Sequence, residues 1–122
     1  MASDAQAGIE APTLQCRCDC GNVVIAARVP ESVTICDCGI CRRYMALWAY
    51  YSPDEVSVGI GQAGVDLWQR SDRVVDFVRC ARCGCVTHYC TRPGDPDPVV
   101  AINCRLAEPA CCDIPVRYVA NA

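Results

Sequence analysis

Short runs rich in β-branched and aromatic residues, separated by turn residues, make up most of the chain. Such runs, bounded by Gly, Pro, Ser or Asp, are typical of β-strands, and no segment sustains the 3.6-residue period of an amphipathic helix. The predicted strands span residues 22–29, 33–35, 47–51, 56–60, 65–70, 74–79, 86–91 and 99–106. A short helix is predicted at residues 41–46. The pattern therefore predicts a mainly β fold with at most one short helix.

Length and composition indicate one globular domain. The chain has 122 residues, of which 52% are hydrophobic and 20% are charged, and this balance excludes disorder of the whole chain. Residues 1–13 are small and polar, so we expect a flexible N-terminal tail there. A single domain is expected over residues 14–122.

Charge and hydropathy argue against two classes of partner. With 11 basic and 14 acidic residues the formal net charge is −3, whereas phosphate binding needs a basic surplus, so we expect no nucleic-acid partner. No run approaches the roughly 18 consecutive apolar residues that span a bilayer, so we expect no membrane association. The first residues lack the basic and apolar stretches of a signal peptide, which favours a cytoplasmic location.

Cysteine is the unusual component, with 13 residues. The competing explanations are disulfides in an oxidising compartment and metal binding in a reducing one. An odd count prevents complete pairing, and a cytoplasmic location keeps thiols reduced, so we expect metal binding. The cysteines of interest form three sequence clusters: Cys16-Arg-Cys18-Asp-Cys20-Gly21, Cys36-Asp-Cys38-Gly-Ile-Cys41-Arg42-Arg43 and Cys80-Ala-Arg-Cys83-Gly84-Cys85.

The third cluster predicts half of a structural zinc site. Cys80 and Cys83, placed on a tight turn, can hold one zinc ion while backbone N–H groups of the turn face the sulfurs. Gly84 supplies the positive φ that such a turn often requires. A structural zinc site is tetrahedral, so two further ligands must come from another part of the chain.

The first cluster supplies the second half of that site. If this segment is an extended strand, Cys16, Cys18 and Cys20 share one face, and the spacing alone does not decide which pair binds the metal. Gly21 favours Cys18 and Cys20, because the chain must bend directly after the last ligand.

The second cluster predicts a different kind of site. Cys36, Cys38 and Cys41 give three close ligands and no evident fourth, and three protein ligands leave a coordination position for water or substrate, as in catalytic zinc sites. These cysteines are therefore candidate catalytic residues as well as metal ligands. Arg42 and Arg43 follow directly, and their charges would attract an anionic substrate.

The order Cys-x-Cys-Gly, Cys-x-Cys-x-x-Cys-Arg-Arg and Cys-x-x-Cys-Gly resembles the glutathione-dependent formaldehyde-activating enzyme family, which includes centromere protein V, over roughly residues 14–106. The resemblance implies a twisted, open β-sheet structure pinned by zinc. The zinc ligands that it implies are Cys18, Cys20, Cys80 and Cys83 for a structural ion and Cys36, Cys38 and Cys41 for a catalytic ion. The implied activity is a carbon–sulfur lyase that joins glutathione and formaldehyde into S-(hydroxymethyl)glutathione, or splits that adduct. A small thiol and a small aldehyde are the partners that it implies.

Three positions depart from the pattern of that family. Asp19 and Asp37 stand inside the Cys-x-Cys pairs where the family commonly has His, and Arg79 stands where it commonly has an aromatic residue. Asp37 adds negative charge beside a three-thiolate site, which favours holding the metal and opposes the approach of an anionic thiol. The alternatives are therefore a non-enzymatic zinc-binding module that binds a protein partner, and a thiol redox protein.

The remaining cysteines and the single histidine are expected to be structural. A buried cysteine behaves as a small apolar residue, and this is the expectation for Cys16, Cys85, Cys90, Cys104, Cys111 and Cys112. Cys16 and Cys85 lie next to the proposed ligands and are the alternatives to them. His88 lies in a predicted strand and is expected to be a plain strand residue.

Overall fold

The computed structural model describes residues 13–71, 74–108 and 114–119. Its strands are β1 (Thr13–Arg17), β2 (Val23–Arg28), β3 (Val33–Cys36), β4 (Trp48–Tyr51), β5 (Ser57–Ile60), β6 (Val65–Trp68), β7 (Val75–Cys80), β8 (Val86–Thr91), β9 (Val100–Asn103) and β10 (Val116–Val119). Helix α1 (Gly39–Tyr44) lies between β3 and β4, and 3-10 turns occur at Pro53–Glu55 and Cys104–Leu106. The prediction of a mainly β fold with one short helix is confirmed. Over these ranges, no helix has the length and apolar character that a membrane span requires.

The strands form two open sheets. The larger has seven strands in the order β10-β3-β4-β9-β8-β7-β6, and the smaller has three in the order β1-β2-β5. All neighbouring strands are antiparallel except β10 and β3, which pair in parallel, with Val116 opposite Val33.

One face of the larger sheet packs against the smaller sheet. In β2, Val23 and Ile25 are buried and Val24 between them is exposed, which is the alternation of a strand that covers a core on one side. These inward side chains belong to the same cluster as Val33 and Ile102 of the larger sheet. Burial of a side chain of this size contributes about 1.5–3 kcal/mol, so this interface is the main apolar core.

The other face of the larger sheet carries an aromatic cluster. Trp48, Phe77 and Tyr89 contact one another, with Trp48 and Tyr89 ring centroids 4.8 Å apart in an edge-to-face arrangement. Tyr44 of α1 packs on Phe77 at 5.5 Å. Cys41 is buried in the same cluster, so α1 and the cysteines around it lie over this aromatic face.

Several local expectations are corrected by the structure. Thr13, assigned to the tail, is the first residue of β1 and pairs with Arg28, while residues 1–12 lie outside the described part. Strand β1 ends at Arg17, because Gly21 N–H donates to the Cys18 carbonyl at 3.0 Å and closes a turn there. Strand β10 was not predicted; its parallel partner β3 is distant in sequence.

The predicted strand 99–106 is also shorter than expected. Strand β9 ends at Asn103, whose side-chain oxygen accepts a hydrogen bond from the Arg105 N–H at 3.1 Å and starts a 3-10 turn. Asn103 is 5% exposed. Its amide group also donates to the Val86 carbonyl at 2.8 Å, which ties the turn to β8.

His88 is a buried residue of β8. It is 5% exposed, and its Nδ1 lies 2.7 Å from Thr87 Oγ1. Burial lowers the pKa of His88 to about 4 from an ordinary value of 6.5, so the imidazole is neutral at pH 7. Among the described residues, His88 is not part of a group of side chains close enough together to hold a metal ion.

The free energy of unfolding should fall by about 2 kcal/mol between pH 7 and pH 5 through His88 alone. Because the folded pKa is the lower one, this stability is complete above about pH 6.5 and is lost as the pH falls toward about 4. Denaturant unfolding of the wild type and of His88→Gln at pH 7 and pH 5 measures this loss, which should be larger in the wild type. Acid release of a bound metal affects both proteins alike. Equal losses in the two proteins would contradict the prediction.

Candidate metal centres

Four thiols from the first and third sequence clusters converge at one end of the core. The sulfur atoms of Cys18, Cys20, Cys80 and Cys83 all lie within 4.8 Å of one another, close enough to hold a metal ion. The Cys18 and Cys20 sulfurs are 3.7 Å apart, and those of Cys20 and Cys80 are 3.5 Å apart. We call this group the four-thiol cluster. It joins the β1–β2 turn of the smaller sheet to the β7–β8 turn of the larger one.

Backbone N–H groups face the sulfurs of this cluster. The Arg82 and Cys83 amides each lie 3.4 Å from the Cys80 sulfur, and the Val23 amide lies 3.3 Å from that of Cys18. These contacts stabilise a negatively charged sulfur, as a metal ligand requires. The turn around Cys80 therefore has the arrangement that the sequence predicted.

The four thiols differ in how readily they lose a proton. Hydrogen bonds from the backbone N–H groups of Cys85 and Cys20 lower the pKa of Cys83 to about 6. The Asn22 N–H lowers the pKa of Cys20, but desolvation and the neighbouring thiols outweigh it and raise that pKa to about 11. Without a cation, the cluster therefore holds some sulfurs as thiolates and others as thiols. A bound cation would favour the thiolate form throughout.

Cys16 and Cys85, the alternative ligands, both lie outside the four-thiol cluster. Cys16 is a β1 residue that is 3% exposed, and a hydrogen bond with Cys104 lowers its pKa. Cys85 lies beside the cluster, and burial raises its pKa, as does a hydrogen bond with Cys83. The turn after Cys18 therefore determines which two cysteines of the first sequence cluster join the four-thiol cluster. Cys18 and Cys20 lie in this turn, whereas Cys16 is directed into the core.

Three thiols of the second sequence cluster form a separate group, the three-thiol cluster. The sulfurs of Cys36, Cys38 and Cys41 lie within 4.8 Å of one another. Cys36 ends β3, Cys38 is the N-cap of α1, and Cys41 lies in its first turn. The Cys41 N–H donates to the Cys38 sulfur at 3.4 Å, so a thiol takes the capping role that usually falls to Ser, Thr or Asp. No fourth described His, Cys, Asp or Glu side chain joins this group.

At the three-thiol cluster, burial and nearby hydrogen-bond donors shift the pKa values of the thiols in opposite directions. Burial raises the pKa of Cys38, but hydrogen bonds from the Cys41 and Ile40 N–H groups and from neighbouring thiols outweigh it, and the pKa is lowered. Burial raises the pKa of Cys41 to about 12, with the Trp48 indole acting in the opposite direction. Trp48 Nε1 is buried and makes no hydrogen bond of ordinary geometry. This indole N–H near Cys41 fits a sulfur that carries negative charge.

A cavity of about 90 Å³ borders the three-thiol cluster. Cys36 and Cys41 contribute to its lining, together with Arg42, Met45 and Arg105. Among the larger cavities, one of about 300 Å³ lies over the smaller sheet and borders neither cluster, and one of about 420 Å³ touches the four-thiol cluster at Cys18. The small cavity is a space beside the three-thiol cluster that a ligand could occupy.

The two arginines after Cys41 have different surroundings. Arg42 lines the small cavity. Arg43 folds back along its own helix, where its Nη1 donates to the Gly39 carbonyl at 2.8 Å. The structure thus brings Arg42, rather than Arg43, to the cavity beside the thiols.

Sequence spacing missed Trp48, Met45 and Arg105. Met45 lies four residues after Cys41, whereas Trp48 and Arg105 reach the three-thiol cluster or its cavity through the fold: Trp48 lies opposite Thr34 in the β3–β4 pairing, and Arg105 follows β9. No local sequence pattern marks Trp48 or Arg105. Among the other cysteines, Cys90 and Cys104 lie outside both clusters, and Cys111 and Cys112 fall outside the described residues.

Comparisons with known proteins support the fold. No protein-family model matches the chain, and no curated protein matches it either. A crystal structure of a Rhodobacter sphaeroides protein, solved as a structural genomics target, is similar at 26% identity and a TM-score of 0.67, covering 84% of this chain and 98% of that one. This likeness concerns the architecture.

Gly84 should be required for metal retention by the four-thiol cluster. Its φ is +81°, and a Cβ there would meet no atom within 4 Å, so alanine should cost about 1 kcal/mol through backbone strain alone. Because Gly84 directly follows Cys83, relief of that strain should displace a ligand. Gly94, with φ +90° and the same open space, gives a matched control away from the cluster. Chelator competition should show weaker metal binding in Gly84→Ala than in Gly94→Ala. Equal retention would contradict this role.

Proposed function

We propose that the protein is a cytoplasmic two-zinc carbon–sulfur lyase that joins or splits a thiol–aldehyde adduct such as S-(hydroxymethyl)glutathione. The observation that carries the proposal is the contrast between the two clusters. Four sulfurs form a complete set at one site, whereas three sulfurs bordering a cavity form an incomplete set at the other. Structural zinc sites are complete in this sense, and catalytic ones keep a position for substrate.

The four-thiol cluster has dimensions that suit zinc. A tetrahedron with zinc–sulfur bonds of about 2.3 Å has sulfur–sulfur edges of about 3.8 Å. The observed separations of 3.7 and 3.5 Å are close to that edge. Thiolates are soft ligands that favour zinc over magnesium or calcium. This site would act as a structural clamp between the two sheets.

The three-thiol cluster suits the same ion in an open site. Its donors are again all sulfur, and the indole N–H of Trp48 would stabilise the charge that remains on the Cys41 thiolate. Zinc held there supplies a Lewis acid that keeps a substrate thiol deprotonated at neutral pH or polarises an aldehyde carbonyl. Cys36, Cys38 and Cys41 would be its ligands, so they are catalytic through the metal that they hold.

The cavity explains how the chain would promote the reaction. At about 90 Å³ it has room for about three water-sized groups, which suits a sulfur and a one-carbon aldehyde. Confinement of both reactants beside each other removes much of the entropic barrier of a two-molecule reaction. The substrate sulfur bonds to the carbonyl carbon, and the thiol proton ends on the aldehyde oxygen. The reverse reaction breaks the same carbon–sulfur bond.

A non-enzymatic zinc module that binds a protein partner is the second candidate. Leu67 and Trp68 on the edge strand β6 are 56% and 55% exposed, and an edge strand with apolar side chains can pair with another chain. Such a module has no need of an open metal site. Thiol-dependent aldehyde chemistry therefore separates it from the lyase.

Replacement of Cys41 should remove one of two zinc ions and abolish turnover. Wild-type protein should contain two zinc ions per chain by elemental analysis and consume formaldehyde in a glutathione-dependent manner. Cys41→Ser should retain one zinc ion and lose that activity, because the three-thiol site would keep only two sulfur ligands. Cys90→Ser, which changes a cysteine outside both clusters, is the matched control and should behave as the wild type.

Two results would overturn the proposal. Retention of both zinc ions by Cys41→Ser would show that the second ion is held elsewhere. A wild-type protein that carries two zinc ions but leaves formaldehyde unconsumed in the presence of glutathione would favour the protein-binding module.

A further inference from the structure

Arg105 reaches the small cavity from a turn that is held rigidly. Its backbone N–H donates to Asn103 Oδ1 at 3.1 Å, and the same oxygen accepts from the Leu47 N–H at 3.2 Å. Because Asn103 is 5% exposed, the backbone at Arg105 is fixed by a buried side chain. Arg105 lines this cavity and two larger ones of about 410 and 420 Å³, and its side chain starts from a fixed backbone position.

Within the described residues, the guanidinium is anchored through its Nε. Arg105 Nε donates to the Met45 carbonyl at 2.8 Å. Met45 has φ 53° and is the non-glycine residue with positive φ in the described ranges, a conformation that costs about 1–2 kcal/mol. This left-handed residue ends α1 and also lines the cavity. One of the five N–H donors of Arg105 is thus used, and among the described residues its two terminal nitrogens have no hydrogen-bond partner.

Within the described ranges, no salt bridge pairs either of the two arginines that line the cavity with a carboxylate. Arg17, Arg28, Arg79 and Arg92 each pair with a carboxylate within 4.0 Å, whereas within the described ranges neither Arg42 nor Arg105 does. Both line the same cavity beside Cys36 and Cys41. Asp37 also lines it but forms a salt bridge with neither arginine. Two unpaired guanidinium groups at one small cavity suit an anionic ligand group.

We infer that Arg105 is a specificity-determining residue that binds a carboxylate of the thiol ligand, with Arg42 as a second cation. The substrates would then be small thiols that carry a carboxylate. A planar guanidinium binds a carboxylate through two parallel hydrogen bonds. This inference rests on the proposed function, because it takes the thiol to bind at the three-thiol site. It also accounts for how an anionic thiol approaches despite Asp37.

The test compares two thiols that differ in charge. The protein is loaded with cobalt(II) in place of zinc, and its visible absorption is titrated with 3-mercaptopropionate and with neutral 2-mercaptoethanol. The quantity measured is the ratio of the two affinities. Arg105→Met should reduce that ratio about tenfold, the loss expected for hydrogen bonds to a charged group, and should leave 2-mercaptoethanol binding unchanged. Arg105→Lys should recover part of the ratio, because it restores the charge without the planar donor pair.

Arg43→Met is the matched control. It removes the same charge from a residue that bonds to Gly39 and stands away from the cavity lining, so the wild-type ratio should persist. If Arg105→Met keeps the wild-type ratio of the two thiol affinities, the role of Arg105 is overturned, but the proposed thiol-binding site is not. Equal weakening of both thiols would show that Arg105 is merely structural. Failure of both thiols to alter the wild-type spectrum would overturn the proposed function itself, and this inference with it.

Discussion

Repulsion between clustered thiolates is the constraint on which the arrangement of this protein depends. Cys20 and Cys80 place their sulfurs 3.5 Å apart, and two negative charges at that distance repel strongly outside bulk water. Protons can relieve part of the repulsion, as the raised pKa of Cys20 and the lowered pKa of Cys83 show. A divalent cation relieves it more completely, since each thiolate then faces a positive charge. The same condition applies to the three-thiol cluster, where burial raises the pKa of Cys41.

In the proposed function, the two clusters would divide structural and chemical roles between the two faces of the larger sheet. The four-thiol cluster joins the turns of both sheets at the edge of the apolar core, where a bound zinc can contribute on the order of 10 kcal/mol to folding. The three-thiol cluster lies on the aromatic face, which the smaller sheet leaves uncovered and which α1 covers in part. A metal clamp on one face would leave the other face available for ligands. The proposed reaction would take place in the cavity beside Cys36 and Cys41.

Local sequence patterns predict much of this fold and of the grouping of the cysteines. They fail where a feature depends on contacts between segments that are distant in sequence. The strands β2 to β9 follow from alternation and turn residues, and the positive φ of Gly84 follows from its place after Cys83. Strand β10 depends on a parallel partner from the first third of the chain, which no local pattern encodes. Sheet register brings Trp48 near Cys41, and Arg105, in the turn after β9, lines the cavity beside the three-thiol cluster. The turn at Cys18 is closed by hydrogen bonds from Gly21 N–H to the Cys18 carbonyl and from Cys18 N–H to the Val23 carbonyl.

X-ray absorption at the zinc edge tests the central claim most directly. One complete and one open site predict an average of about 3.5 sulfur ligands per zinc at about 2.3 Å, with a lighter atom in the remaining half position. Addition of a small thiol should raise that average toward four. An average of four sulfurs before any thiol is added, or a sample that binds no zinc, would contradict the account.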